Sequence, residues 1–152
     1  MKHFVDINNF TKKEIDEIIS LAKKIKKYPK KYSSSCKDKT LGLIFEKQSL
    51  RTRLSFNVGM QKLGGSVLEL QSKDIGFDNK REKAEDVLNV LSQYIDCLMI
   101  RNNNHKEIVN LSKENILPII NGLTEYSHPC QILGDFLTLN ENFKSIKNVN
   151  VA

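Results

Sequence analysis

The segment FEKQSLRTRLSF, residues 45–56, decides the predicted fold. It follows the apolar run Leu41 to Phe45, which is typical of a strand buried in a parallel sheet. From Phe56 onward apolar residues recur at helical spacing until Gly64 and Gly65, which predict the end of a helix. Residues 49–52 therefore lie where a strand turns into a helix, and free backbone N–H groups and the positive end of the helix dipole point outward there.

This turn carries the groups that a phosphate-bearing ligand needs. Ser49 and Thr52 supply hydroxyl donors, and Arg51 and Arg53 supply planar guanidinium groups that can bind two oxygens at once. The plainer interpretation is that Ser49 caps the helix and that the arginines are solvent-exposed. Because the helix dipole disfavours arginine in a first turn, the pattern favours a bound anion.

Length and composition indicate one soluble globular domain. The chain has 152 residues, of which 39% are hydrophobic and 28% are charged. The net charge of +6 is concentrated in a lysine-rich stretch at residues 23–39. Such a run is typical of a solvated face, and the aromatic residues that single-strand nucleic-acid binders interleave with their basic residues are few here, so we expect no nucleic-acid partner.

Cysteine content and the N-terminal sequence favour a reducing cytoplasm. The three cysteines, Cys36, Cys97 and Cys130, form no C-x-x-C pair, so neither a disulfide framework nor a zinc site is indicated. The first residues contain no apolar signal region, and no apolar run in the sequence is long enough to span a membrane. We therefore expect a cytoplasmic protein without a membrane partner.

Short apolar strands alternate with amphipathic helices along the chain, which predicts an α/β three-layer sandwich with a central parallel sheet of about four strands. The predicted strands are Leu41–Phe45, Ser66–Leu70, Cys97–Ile100 and Ile116–Ile120. Five helices are predicted. The first starts at a capping box (Thr11 to Glu14) and ends before Pro29, and the second follows residue 49. The third spans Ala84 to Ile95, the fourth centres on Ile108 to Leu111, and the fifth starts at Pro129.

The fourth strand and the last helix are defined least sharply by the pattern. Pro118 suggests an edge strand or one that starts after it, and Asn121-Gly122 is expected to close the strand before a loop from Leu123 to Ser127. The residues expected to form the buried face of the last helix are Ile132, Leu133, Phe136 and Leu137. The polar segment 140–150 is expected to be a connection.

Polar groups follow three of the four strands at the carboxyl edge of the sheet, where ligands bind in open α/β sheets. The turn at 49–53 follows the first strand, Arg101 ends the third, and His128 and Gln131 follow the fourth. Arg101 alone is more typical of a surface residue, and His128 alone of a helix cap. Their joint placement predicts one ligand site.

FEKQSLRTRLSF resembles the carbamoyl-phosphate signature of the aspartate and ornithine carbamoyltransferases, which is usually S-T-R-T-R. H-P-C-Q at 128–131 is similar to the ornithine branch, because the aspartate branch generally has another small residue where Cys130 stands. The resemblance extends from near the N-terminus to about Leu139 with the motif spacing preserved. It implies a carbamoyl-phosphate-binding domain that needs no metal and no cofactor.

The resemblance also implies roles for individual residues. The expected carbamoyl-phosphate-binding residues are Ser49, Leu50, Arg51, Thr52, Arg101, His128, Pro129, Cys130 and Gln131. Of these, the groups expected to polarise the carbamoyl oxygen, and hence to be catalytic, are Thr52, Arg101 and His128. Gln131 is expected to accept from the carbamoyl amide, and Arg53 to support the turn by ion pairing.

The sequence departs from the family pattern at two positions and in its extent. Leu50 replaces the usual threonine, which removes one hydroxyl donor, so this residue can donate to the phosphate only through its backbone N–H. Gly76 stands near the position where ornithine members often place a glutamine that reaches a neighbouring subunit. We expect residues 1–148 to be the carbamoyl-phosphate domain and 149–152 to begin the amino-acid-binding domain, whose H-C-L-P motif is absent from this sequence.

The resulting expectation is an ornithine carbamoyltransferase of arginine metabolism, in which carbamoyl phosphate and L-ornithine give citrulline and phosphate. L-Ornithine would bind through the second domain, and the family's trimers lead us to expect a homotrimer. Two alternatives remain. One is an aspartate- or acetylornithine-type carbamoyltransferase, of which the Leu50 substitution favours keeping the acetylornithine type. The other is a non-catalytic phosphate-binding module.

Overall fold

The computed structural model describes residues 1–71 and 83–143. Within these ranges the elements in chain order are α1 (Lys12–Lys27), β1 (Thr40–Phe45), α2 (Arg51–Lys62), β2 (Ser66–Leu70), α3 (Ala84–Leu91), β3 (Cys97–Arg101), α4 (His105–Lys113), β4 (Ile119–Leu123) and α5 (Pro129–Asn142). Short 3-10 helices cover Ile7–Asn9 and Pro29–Tyr32. The Gly76 loop and residues 149–152 lie outside the described residues, as does the expected boundary at residue 148.

The four strands form one parallel sheet in the order β2-β1-β3-β4, as predicted in class and strand number. Register places Phe45 beside Arg101, and Arg101 beside Leu123, so the carboxyl ends of the three strands β1, β3 and β4 meet at one edge. A register irregularity between Ile100 and Arg101 lies at that same edge. Such irregularities often re-aim a side chain next to a functional site.

The sheet is covered on both faces, which confirms the three-layer arrangement. Because successive strand residues point to opposite faces, Leu43 and Ile44 belong to two different apolar clusters. The Ile44 cluster contains Leu88 of α3 and Ile108 of α4, all fully buried. The Leu43 cluster packs against α2, while α5 packs on β4 and α1 packs on α5.

Helix α1 starts as its sequence predicts. The Thr11 hydroxyl accepts from the Glu14 backbone N–H, and the Glu14 carboxylate accepts from the Thr11 backbone N–H at 2.8 Å, which is the capping box. The helix ends at Lys27, before Pro29. Among the described residues, no helix has both the length and the apolar character needed to cross a bilayer.

The position predicted for the fourth strand is wrong by three residues. The strand spans Ile119–Leu123 rather than Ile116–Ile120, so Asn121 and Gly122 lie inside it and do not close it. Pro118 precedes the strand, as one of the two alternatives expected, and its carbonyl accepts from the Leu98 N–H. Gly122 lets β4 approach β3 closely, because a Cβ at this position would meet the Met99 sulfur.

The N-terminal segment covers the outer side of β4, which was not predicted. Phe4 forms a parallel bridge with Ile120, and the Asn121 N–H donates to the Phe4 carbonyl at 2.9 Å. Val5, the next residue, is buried in the core. Two or three residues are too short a stretch to produce a recognisable strand pattern.

Two helix ends and the burial of one residue also differ from expectation. Helix α3 ends at Leu91, and Ile95 is buried in the connection to β3. Helix α5 continues to Asn142, so residues 140–142 are helical and not part of a connection. Phe136, expected on the buried face of α5, is 41% exposed. The polar composition of residues 140–142 led us to expect a connection there. In the structure, the last turn of α5 is held to α1 by the Lys26–Glu141 ion pair at 2.8 Å.

Candidate functional site

A cleft of about 710 Å³ opens at the carboxyl edge of the sheet, between the start of α2, the end of β3 and the start of α5. Its lining residues are Gln48, Ser49, Leu50, Arg51, Thr52, Arg101, Leu123, His128 and Gln131. All three sequence segments predicted to share a site therefore contribute to one cleft. The parallel register produces this convergence, since it brings the ends of β1, β3 and β4 together.

The turn between β1 and α2 presents backbone N–H groups to this cleft. Helix α2 begins at Arg51, and the first hydrogen bond of its backbone runs from the Leu54 N–H to the Leu50 carbonyl. The N–H groups before Leu54 belong to the first turn, where an α-helix offers them no carbonyl partner. Leu50 occupies the cap position without a capping side chain, and its own side chain is 73% exposed.

Arg101 connects the turn to the third strand. Its Nη1 donates to the Ser49 hydroxyl at 3.0 Å and to the Thr52 hydroxyl at 3.1 Å. Ser49 therefore does not act as the helix cap, which excludes the plainer interpretation of this residue. These two hydroxyl partners bring no negative charge to the guanidinium beside the start of α2.

The two arginines of the turn have different surroundings. Arg51 is exposed and lines the cleft. Arg53 lies 3.5 Å from the Glu69 carboxylate on β2, and its guanidinium carbon lies 4.8 Å from the centre of the Phe45 ring. Arg53 is thus placed to support the turn through an ion pair and a cation–π contact, as its sequence role predicts.

His128 stands immediately before α5, with Pro129 at the first helical position. Its buried Nδ1 atom has no hydrogen-bond partner among residues 1–71 and 83–143, which is costly unless a bound ligand or water compensates. Burial lowers the pKa of His128 first, and the neighbouring Arg101 charge lowers it further, while Asp135 opposes both effects. The lowered pKa favours the neutral ring at pH 7, and His128 lines the cleft.

The remaining residues of the H-P-C-Q motif have separate surroundings. Pro129 is fully buried. The Cys130 thiol donates to the Asn121 carbonyl at 3.7 Å, and burial raises the pKa of Cys130 to about 11, which keeps it protonated. Gln131 lines the cleft, and its amide nitrogen donates to the Asp135 carboxylate at 2.8 Å.

Asn121 supports the site and was missed by sequence reasoning. Its side chain is fully buried, and its amide nitrogen donates to the Val5 carbonyl at 3.0 Å and to the Ser127 carbonyl at 3.1 Å. Its oxygen accepts from the Leu123 N–H at 2.9 Å. Because Ser127 directly precedes His128, Asn121 fixes the loop from which His128 projects. The sequence feature that could have identified Asn121 is its position as a polar residue directly after the apolar residues Ile119 and Ile120.

The assembled cleft can bind an anion and polarise a carbonyl group. Arg51, Arg101 and the first-turn N–H groups provide positive charge and hydrogen-bond donors. The Ser49 and Thr52 hydroxyls add donors, and the neutral His128 ring adds one more. Donors fixed in advance and aimed at one place are the arrangement that stabilises developing negative charge.

Comparison with known proteins shows the family. Residues 2–141 match the family model described as aspartate/ornithine carbamoyltransferase, carbamoyl-P binding domain. The ornithine carbamoyltransferase of Shewanella oneidensis is 41% identical over 152 residues, which is 100% of this chain and 50% of that protein. The chain thus spans about half the length of the curated relatives it matches.

Solved structures agree in fold and sequence. The ornithine carbamoyltransferase from Pyrococcus furiosus superimposes with a TM-score of 0.85 at 39% identity, covering 92% of this chain and 45% of that one. An N-acetyl-L-ornithine transcarbamylase mutant, solved with carbamyl phosphate and N-succinyl-L-norvaline, gives 0.82 at 28% identity, covering 95% and 49%. The chain therefore belongs to the aspartate/ornithine carbamoyltransferase family and contains its carbamoyl-phosphate-binding domain.

Proposed function

We propose that this chain binds carbamoyl phosphate and forms the carbamoyl-donor half of an ornithine carbamoyltransferase. The observation that carries the proposal is the Arg101 guanidinium held between the Ser49 and Thr52 hydroxyls at the start of α2. This geometry collects charge and donors from two distant parts of the sequence around one cleft. Relatives at about 40% identity that are named ornithine carbamoyltransferases favour ornithine as the amine substrate.

The phosphate group would bind at the start of α2. Arg51 supplies a charge-assisted contact that can involve two oxygens, and the first-turn N–H groups supply further donors. Leu50 contributes its backbone N–H, since its side chain has no donor. The Ser49 and Thr52 hydroxyls can donate to phosphate oxygens while their own oxygens accept from Arg101.

The carbamoyl oxygen would lie against Thr52, Arg101 and His128. When an amine attacks the carbonyl carbon, negative charge develops on this oxygen, and fixed donors lower the barrier. A neutral His128 can still donate through a protonated Nε2, because the other nitrogen then holds only a lone pair. Gln131 would accept from the carbamoyl amide, and the cationic groups would stabilise the departing phosphate.

Direct attack by the amine needs no covalent intermediate on this chain. Cys130 lies in the motif, but its raised pKa leaves it as a protonated thiol, which is a poor nucleophile. The Cys130 thiol donates to the Asn121 carbonyl, so its role would be to join the start of α5 to β4.

The complete enzyme would bring L-ornithine to the open side of the cleft through a second domain and release citrulline in the cytoplasm, as a step of arginine metabolism. The proposed domain boundary follows residue 148. We further propose a homotrimer, because Leu50, Leu54 and Val58 repeat at four-residue intervals along α2 and remain 73%, 52% and 41% exposed. An apolar stripe of this kind suits contact with a second copy of the chain.

Two measurements test the proposed function. Titration calorimetry with freshly dissolved carbamoyl phosphate should show binding to this chain, and Arg51→Ala should abolish most of it. A chimera that joins this chain to the remaining half of the Shewanella oneidensis relative should form citrulline from ornithine, whereas the chain alone should not. Absence of carbamoyl phosphate binding would overturn the proposal for the cleft, and a chimera active on aspartate or acetylornithine instead would reassign the amine.

A further inference from the structure

Gln131 and Asp135 are neighbours on one face of α5. They are four residues apart, and the Gln131 Nε2 atom donates to the Asp135 Oδ1 atom at 2.8 Å. Gln131 lines the cleft, so its amide lies between the ligand space and the Asp135 carboxylate. The amide nitrogen of Gln131 is therefore hydrogen-bonded within α5, and the amide oxygen remains for the ligand.

The chemistry of the two side chains decides which end is which. A glutamine amide has a donor end and an acceptor end, and rotation by half a turn exchanges them. An ionised carboxylate only accepts hydrogen bonds, so it holds the NH₂ end. The Gln131 oxygen is consequently directed away from Asp135.

We propose that Asp135 is a positioning residue that holds the Gln131 oxygen toward the cleft, so that the site prefers a carbamoyl group to an acetyl group. The inference rests on the proposed function, since it concerns the same site. A carbamoyl NH₂ donates to the waiting oxygen. An acetyl group carries a methyl group at that position and offers no donor, so it leaves the oxygen unpaired.

A ratio of two affinities isolates this contact from the other effects of Asp135. Asp135 also raises the pKa of His128, which opposes the effects of burial and Arg101. His128 acts on the carbonyl oxygen, however, and carbamoyl and acetyl ligands share that oxygen. A change at His128 therefore alters both affinities together, whereas a change in the Gln131 orientation alters only the carbamoyl affinity.

The experiment uses two hydrolytically stable probes that differ at one group, phosphonoacetamide and acetonylphosphonate. Titration calorimetry on the chain should show phosphonoacetamide bound about threefold to tenfold more tightly, the range for one net hydrogen bond. Asp135→Asn allows either amide orientation and should lower this preference about twofold. Asp135→Lys presents only donors, should reverse the amide, and should remove the preference altogether.

A matched pair on α2 supplies the control. The Gln61 Nε2 atom donates to the Asn57 Oδ1 atom at 2.7 Å with the same spacing, away from the cleft-lining residues. Asn57→Ala should leave the preference unchanged. In a Gln131→Ala background the Asp135 substitutions should no longer alter it.

Each other outcome has a definite meaning. A wild-type preference that persists in Asp135→Lys overturns the inference, as does equal binding of both probes by the wild type. Failure of the wild-type chain to bind either probe overturns the proposed function and the inference with it. Asp135 and Gln131 are both on the exposed part of α5, so circular dichroism should show the wild-type fold in every variant.

Discussion

The two edges of the sheet both carry cationic groups, but they use them differently. At the amino edge, the Lys39 ammonium lies 2.7 Å from the Asp96 carboxylate, which also accepts from the Thr40 N–H. At the carboxyl edge, the Arg101 guanidinium donates to two neutral hydroxyls. The amino edge thus neutralises its charge within the protein, whereas the carboxyl edge keeps its charge beside an open cleft.

The charge partners at the two edges indicate the location of the functional site. The distribution of charge along the sequence is a poorer guide to it. The longest lysine run precedes β1 and therefore leads to the amino edge, away from the cleft. The carboxyl edge has fewer cationic residues, but they lie beside helix starts and hydroxyl donors. A positive charge with fixed donors around it beside an open cleft is the feature that binds an anionic ligand.

Loss of Arg51 should give the largest change at the carboxyl edge. Arg51→Ala should weaken carbamoyl phosphate binding by about 2–4 kcal/mol, as expected when one partner of a charge-assisted contact is removed. Titration calorimetry measures the affinity directly. Arg53→Ala is the control, because Arg53 contacts Glu69 and Phe45, and it should change the affinity much less. Equal losses from the two variants would remove the distinction between these arginines.

Loss of His128 should affect rate more than binding. In the chimera described above, His128→Ala should lower kcat by roughly a hundredfold, by analogy with the loss of one oxyanion donor. The reason is that the charge on the carbonyl oxygen develops in the transition state. Steady-state kinetics separates kcat from KM. An increase in KM alone would make His128 a ground-state binding residue.

Backbone strain at the end of α2, near the amino edge, should affect stability without affecting the ligand. Gly64 has a φ of +85°, and a Cβ there would meet the Ser33 carbonyl oxygen, so Gly64→Ala should cost about 1–3 kcal/mol of unfolding free energy. Gly59 lies in the interior of α2, and among the described residues no atom beyond the adjacent helix backbone comes within 4 Å of the new Cβ, so Gly59→Ala should stabilise by about 1 kcal/mol. Denaturant unfolding gives both values, and carbamoyl phosphate affinity should stay unchanged in both variants.

The pKa of His128 reports the Arg101 charge at the carboxyl edge. Arg101→Met should raise the pKa of His128, because a neighbouring positive charge disfavours protonation, yet burial should keep it below the ordinary value. Asp135→Asn should lower the pKa of His128. NMR titration of the imidazole resonances measures both shifts. The same sign for the two variants would contradict this electrostatic assignment.

The compensated pair at the amino edge should produce the smallest effect. Lys39 lowers the pKa of Asp96, so the pair stabilises the fold above the ordinary carboxyl pKa and loses this contribution as the pH falls through the lowered pKa. In Lys39→Met the melting temperature should fall slightly at pH 7, and the difference from wild type should vanish in acid. Melting curves across pH test this, and a changed carbamoyl phosphate affinity in this variant would show that the edges are coupled.

Local patterns were sufficient for most of the elements and for the three segments that line the cleft. The capping box at Thr11, the strand–helix turn at 49–52 and the proline at the start of α5 each depend on residues close together in the sequence. The fourth strand was misplaced because its position depends on partners elsewhere: Phe4 on one side and Leu98 on the other. Phe136 was assigned to the core because helical spacing identifies a face but not the neighbour that covers it.

The sequence by itself determined the α/β class, the four parallel strands and the segments that meet at the carboxyl edge, because periodicity and turn chemistry act over a few residues. Only the tertiary structure decided that Arg101 binds the hydroxyls of Ser49 and Thr52, that Asn121 holds the loop before His128, and that Asp135 engages Gln131. Except for the Gln131–Asp135 pair, these contacts depend on strand order and register, which follow from the packing of the whole sheet. The Gln131–Asp135 contact is local, but its meaning depends on the cleft that the rest of the fold creates.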